Sequence, residues 1–324
     1  MENWDPAVIK MLSIFMPSTF ESRAAIKPES RFVHYTTSKN LLQILDSEEI
    51  EFRNTRDMND HQDIETGLER LQHWIDHSGS AALADALDRC APGVWNEGVK
   101  KFQDWLPGLR NESYVLSVAE HDPNENNTGR LSLWRAFEGD ATGVAVVVDT
   151  SPFMQVAQTL KAYSSPVAYW TRQQFAGEFE TVTASILDNQ QFISQTNRPV
   201  LREIIFLMLL FAAVCSKHPG LRDEREWRVL TNPLLWPSPM LIKHNPAVEV
   251  SNRTIYKLPL KNRPTENITG LEFPQLISRV IIGPTMNADA IREEIVSKLA
   301  EKNVPQPATK VIMSKLPVRA KAMG

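Results

Sequence analysis

The sequence predicts an α+β fold, and three observations carry that prediction. Val144-Ala145-Val146-Val147-Val148 is an unbroken apolar run of the length and β-branched content of a buried strand. Two long stretches with apolar residues three or four apart, about 61–106 and 174–217, interrupt the strand-like segments as helical insertions. The C-terminal part reads as strand (Arg279–Gly283), helix (about Ala288–Lys302), strand (Lys310–Ser314), which is a β-α-β unit.

Taken in order, residues 1–30 form a helical lead-in that ends near Pro28. Arg31–Tyr35 is a short strand, and the Thr/Ser cluster at 36–38 caps a helix with Leu41, Leu42, Ile44 and Leu45 on its apolar side. Ile50–Arg53 is strand-like and leads into the polar loop 54–60. Ile64, Leu68, Leu71 and Ile75 mark a helix, and Pro107-Gly108 is expected to end the first helical insertion. Tyr114–Val118 is a strand, 121–129 an exposed loop, Leu131–Phe137 a short helix, and 138–143 a turn before the Val144 strand. Residues 166–170 suggest another strand. The second insertion ends in Ile204–Cys215, a core helix whose last turn is made cationic by Lys217 and His218 before Pro219-Gly220 stops it. Glu224–Leu230 and Ile255–Leu258 complete the strands. The expected organisation is a lead-in (1–30), one α+β domain (31–319) and a short tail (320–324).

The chain has 324 residues, 42% hydrophobic and 23% charged, as ordinary globular proteins do. A net charge of −4 provides no global attraction to nucleic acid or anionic membrane, so any polyanion site must be a local patch. The 204–215 run is well short of the roughly 20 apolar residues needed to span a bilayer. Glu2 and Asp5 replace the basic start of a signal peptide, so a cytoplasmic location without membrane contact is expected. The 2 cysteines, Cys90 and Cys215, fit neither a disulfide framework nor a zinc site. His73 and His77 share a helix face but have no third ligand near them in sequence. P-loop, glycine-rich dinucleotide, nucleophile-elbow and HExxH patterns are absent from the sequence.

Glu224-Arg225-Glu226-Trp227-Arg228 is the most informative chemistry. If all five residues are in a strand, both carboxylates project to one face. That arrangement is costly unless the acids face a cation, a pair of hydroxyls or a positive charge that develops in a reaction. A salt-bridge ladder with Arg222, Arg225 or Arg228 is the alternative role. His34 is either a ligand contact or a strand-end histidine bonded to a carbonyl.

Seven blocks in the right order resemble the bacterial DUF2971 family over roughly 31–319. They are Tyr35 with Leu41–Leu45, Met58-Asn59-Asp60, Ser117 at the close of a strand, Leu133–Phe137 with Gly143–Val146, Glu224–Arg228, Val280–Pro284, and Ser314-Lys315 near Arg319. That family carries no settled activity.

A second resemblance is to ADP-ribosyltransferases that modify nucleic acid. It rests on His34-Tyr35-Thr36-Thr37 followed by Asn40-Leu41-Leu42, with Glu226 or Glu224 matching a catalytic glutamate on a later central strand and Ser117 a middle-strand position. It implies a split central β-sheet with a helical insertion and peripheral helices, and NAD as substrate. The implied NAD site has His34 donating to a ribose hydroxyl, Tyr35 stacking on or under nicotinamide, Thr36 or Thr37 on the adenosine side, Ser117 and Asn59 nearby, and Arg53 or Arg135 on phosphate. Glu226 would be the main catalytic carboxylate and Glu224 its assistant. The implied activity is transfer of ADP-ribose to RNA, DNA or protein by a bacterial toxin or anti-phage effector, with an antitoxin as a further partner. An NAD glycohydrolase and a non-catalytic sensor module are the alternatives.

Overall fold

A computed structural model describes residues 4–57, 61–77, 79–135, 142–155, 159–245, 254–285 and 287–316. The lead-in is two helices, α1 (Pro6–Phe15) and α2 (Pro17–Ala24), each with proline at its first position, where the missing N–H costs nothing. Then come β1 (Arg31–Thr37), α3 (Ser38–Ser47) and β2 (Glu49–Asn54). Thr37 caps α3 as expected: its hydroxyl accepts from the Asn40 N–H at 3.1 Å.

The first insertion is α4 (His61–Asp76), α5 (Ala81–Cys90) and α6 (Val94–Glu112). Here the expected break at Pro107-Gly108 is wrong, since α6 continues through both residues to Glu112. Phe102 before them and Leu109 after them are both buried in the helical core, so packing outweighs the one backbone hydrogen bond that proline removes.

The chain continues through β3 (Tyr114–His121), α7 (Leu131–Trp134), β4 (Gly143–Asp149), α8 (Ser151–Met154), β5 (Ala162–Pro166) and β6 (Ala168–Tyr169). Of the helix expected over 131–137, α7 covers Leu131–Trp134, while residues 136–137 and most of the turn expected from 138 fall outside the described residues. The strand expected at 166–170 is instead the end of β5 and the two-residue β6.

The second insertion is α9 (Arg172–Asp188), α10 (Gln190–Gln195) and α11 (Arg198–Val214). Residues Ser216-Lys217 leave the helix as β7, parallel to β6, so Lys217 is not in a helical last turn. The remaining elements are β8 (Glu226–Thr231), β9 (Ile242–His244), β10 (Ile255–Pro259), α12 (Phe273–Leu276), β11 (Ile277–Ile282), α13 (Ala288–Glu301), α14 (Pro307–Lys310) and β12 (Val311–Met313). β11 and β12 pair in parallel, as the terminal β-α-β reading requires. With β11 and β12 parallel and the other ladders of the central sheet antiparallel, that sheet is mixed and the fold is α+β.

The sheet forks at β3. One edge of β3 pairs with β8 from Tyr114 to Ala119, and β8 pairs in turn with β5. The other edge takes two strands end to end: β1 at residues 119–121 and β2 at residues 114–115. β1 leads on to β4, β11 and β12, and β2 to β10 and β9. Between the two short ladders, residues 116–118 of β3 have no strand on that edge among the described residues.

Alternation along β3 and β8 assigns their two faces. Val115 and Leu230 point into the core formed with α4, α5, α6, α9 and α11. Leu116, Val118, Trp227 and Val229 point the other way, into a core shared with Phe32, the α3 leucines and α13. The helical insertions thus cover one face of the β3–β8 ladder. The terminal β-α-β unit and α3 help cover the other.

Candidate functional site

Where the sheet forks, His34 takes the place of a missing strand. Its Nδ1 lies 3.0 Å from the Ser117 carbonyl oxygen, in the unpaired stretch of β3. A carbonyl can only accept, so Nδ1 carries the proton. Burial lowers the affinity of the ring for a second proton, as does Arg53 nearby, while the Ser117 carbonyl opposes them; the net shift is downward. The ring is therefore neutral near pH 7, and Nε2 is an acceptor. The expectation that His34 donates to a ligand hydroxyl is corrected accordingly: its donor is already used, and a hydroxyl would donate to it.

The same Ser117 reaches the acidic segment. Its hydroxyl donates to Glu226 Oε1 at 2.6 Å, so one residue of β3 touches both the histidine corner and a carboxylate that lies 109 positions later in the chain. Ser117 pairs with Arg228, and Ala119 with Glu226, across the β3–β8 ladder. Ser117 sits in the middle of β3 and does not close it.

Glu224 and Glu226 do not share a strand face. Glu224 ends a 3₁₀ turn over Pro219–Glu224, Arg225 is left-handed at φ 46°, and β8 starts only at Glu226. The expected strand geometry fails because this single left-handed residue breaks the extended backbone between the two acids. They converge all the same on one cation: Lys217 Nζ is 2.8 Å from Glu224 Oε2 and 2.9 Å from Glu226 Oε2. Arg228 Nε donates to Glu226 Oε1 at 3.0 Å, and its Nη2 lies 3.3 Å from Oε2. Arg228 also donates to the Val214 carbonyl at the end of α11.

The Glu226 backbone N–H donates to the Tyr169 hydroxyl at 2.8 Å. Burial by itself would raise the Glu226 carboxyl's pKa, but the Arg228 and Lys217 charges, with the Arg228 and Ser117 hydrogen bonds, outweigh it and hold it at about 2. Glu226 is thus a fixed anion, 7% exposed, between two cations that are more deeply buried still. Of the arginines expected to partner the acids, only Arg228 does so through Glu226. Arg225 approaches Asp122 at 3.6 Å, and Arg222 donates to the Tyr169 carbonyl.

A cleft of about 820 Å³ opens at the fork. It brings together His34, Tyr35, Thr36, Thr37, Ser117 and Arg53 from the expected site, and Asn40, Glu51 and Lys257 add to its wall. Tyr35 is held from below: its ring meets Trp134 edge-on at 4.8 Å, and its hydroxyl accepts from the Arg130 N–H at 2.6 Å. Thr37 Oγ1 is engaged as the α3 cap. Arg135 is exposed at the end of α7 and does not line the cleft. Asn59 lies outside the described residues.

The sequence reading did not single out Lys217 or Arg130. Lys217 follows the apolar second half of α11, from Ile204 on, and comes shortly before Glu224 and Glu226, and a lysine in that setting is a candidate for burial. Arg130, paired with Glu125, donates to the carbonyls of Glu120, Asp223 and Glu224 and so fixes the turn that carries Glu224. Its signal is local only at Glu125. Its other partners come from distant segments.

His73 and His77 stack with ring centroids 4.0 Å apart, and no group of three or more metal-binding side chains occurs among the described residues. No described helix is long and apolar enough to cross a membrane. Comparison with curated proteins and with solved structures gives no match. Residues 133–229, from the middle of α7 into β8 and with Lys217, Glu224, Glu226 and Arg228 among them, match the model of DUF2971, a family described as a protein of unknown function.

Proposed function

We propose that the cleft at the fork binds NAD and that the protein is an ADP-ribosyltransferase, with RNA, DNA or protein as acceptor. The observation that carries this reading is Ser117, which lines the cleft beside the neutral His34 and whose hydroxyl bonds the ionised Glu226, a residue that does not itself line the cleft. The split sheet agrees with the resemblance, and the cleft volume lies within the roughly 300–1,000 Å³ of small-molecule sites.

In this reading a ribose hydroxyl donates to His34 Nε2, and Arg53 and Lys257 meet phosphate oxygens. As the bond between C1′ and nicotinamide breaks, nicotinamide leaves with the bonding electrons and positive charge grows on the ribose. A carboxylate that stays ionised favours that state over the ground state. The acceptor's oxygen or nitrogen then bonds to C1′ and loses its proton to solvent. With water as acceptor the same site would be a glycohydrolase.

A non-catalytic sensor is the second reading, and one observation favours it. Lys217 and Arg228 already compensate the two glutamates. Counter-charge so close weakens what Glu226 offers a developing cation.

Incubation of the purified chain with NAD labelled in its adenylate, with and without RNA, DNA or lysate, separates these readings. Transferase activity predicts nicotinamide release with label on a macromolecule, and a loss of at least about 100-fold in Glu226→Gln. A sensor predicts NAD binding with equally low release from wild type and variant. Absence of both binding and release defeats the NAD reading in either form.

A further inference from the structure

A second cavity shares His34, Ile50 and Leu116 with the cleft and has a different character. Its volume is about 160 Å³, close to that of an apolar protein cavity known to hold benzene. Buried side chains of the sheet and its cover, including Phe52, Leu116, Val118 and Leu258, make its floor, while half-exposed Trp4 and Tyr163 stand at its rim.

One full charge borders this space. Arg23, from α2, is 4% exposed and has no carboxylate partner among the described residues. Its guanidinium lies 4.7 Å from the centroid of the Trp4 ring and 5.9 Å from that of Trp227. Nη1 donates to the Ser164 carbonyl at 2.8 Å and to the Ser164 hydroxyl at 2.9 Å, and Nη2 to the Phe153 carbonyl at 3.3 Å. These bonds use three of the five N–H donors an arginine carries, and Nε is buried with no partner at all. A buried guanidinium without an anion is expensive, and carbonyl dipoles offset only part of the cost. Burial lowers its pKa to about 10, which still leaves it charged at neutral pH. The cavity's other titratable walls, His34 and Tyr163, are neutral there: the ring for the reason given above, the phenol because burial raises its pKa.

We infer that this cavity is a binding site for a small hydrophobic carboxylic acid of about benzoate size, its carboxylate on Arg23 and its apolar body on the floor. The single cation decides the class. A monoanion balances it, whereas a phosphate dianion would leave one charge uncompensated in an apolar space. A carboxylate also matches the planar fork of donors in a guanidinium.

Calorimetric titration of the full chain tests the assignment, with benzoate, neutral benzyl alcohol of nearly the same shape, and inorganic phosphate as probes. Benzoate is expected to bind one to one, about tenfold or more tighter than benzyl alcohol, with phosphate not binding. Arg23→Gln is expected to lose that margin for benzoate and to keep its affinity for benzyl alcohol. Ala162→Phe, which fills the cavity from β5 and leaves Arg23 in place, is expected to lose both ligands. The inference is overturned if benzoate does not saturate, if it binds no tighter than benzyl alcohol, or if either variant binds it as wild type does. Should Arg23→Gln not fold, the benzyl alcohol comparison and Ala162→Phe decide the matter alone.

Discussion

On either side of β8 the protein buries an arginine, and the two are treated in opposite ways. Arg228 points to the helical side and meets Glu226, with Lys217 and Glu224 completing a set of two cations and two anions. Trp227, one residue before it, points to the other side, where the Arg23 guanidinium lies near its ring and, among the described residues, oxygen dipoles and the Trp4 and Trp227 rings meet the charge but no carboxylate does. The first charge is compensated from within the chain and so belongs to the architecture. The second has no counter-charge among the described residues, and its compensation is what the proposed ligand would supply.

The contrast can be broken most severely at Arg228. Arg228→Met strands Glu226 with less than its full counter-charge and frees the Val214 carbonyl, so a loss of about 3–5 kcal/mol is expected in urea denaturation. A loss under about 1 kcal/mol would show that the network contributes little.

Acid sharpens the same side of the comparison. The folded-state pKa of Glu226, about 2, lies below its ordinary 4.5, so its stabilisation is complete above pH 4.5 and drains away as pH falls toward 2. That gap corresponds to about 3 kcal/mol. Denaturation curves for wild type and Glu226→Gln should therefore differ most above pH 4.5 and converge near pH 2. A constant difference would remove the ionised carboxylate from the account.

Arg23→Met tests the other side. The lost bonds to Ser164 and Phe153 are offset by the desolvation no longer incurred, and the Ser164 hydroxyl still bonds the Phe153 carbonyl, so the change should stay within about 1.5 kcal/mol by thermal denaturation. A cost like that of Arg228→Met would erase the distinction. The smallest effect is expected of Ser117→Ala, about 1 kcal/mol, since the hydroxyl bond to Glu226 goes while the carbonyl bond to His34 stays.

How far these features could be read from sequence depends on whether their causes are local. The β4 strand, the α11 core helix and the Thr37 cap follow from runs, periods and side chains within a few residues, and all three are present. His34 and the two glutamates also stood out in the sequence, and Ser117 brings His34 and Glu226 to one place. The face shared by the glutamates could not be foreseen, because Arg225 adopts a backbone conformation that nothing in its neighbourhood demands. The partners of Lys217 and Arg23 were equally hidden. Lys217 gains its meaning by leaving α11 for a two-residue strand, and Arg23 by docking a lead-in helix against β5. Pro107 shows the reverse error: a strong local signal for a break gives way to the packing of α6.

The forked sheet also bears on how the chain acquires its shape. The β3–β8 ladder joins strands separated by both of the flanking β4–β5 segment and the second helical insertion, so it requires closure of a long loop, and such non-local pairing makes folding slow. Until it closes, Ser117 has no Glu226 beside it, and β3 has strands on one edge only, β1 and β2. A nascent chain that has emerged through β4 but not yet through β8 therefore has Ser117 in place without the carboxylate that its hydroxyl meets in the finished fold.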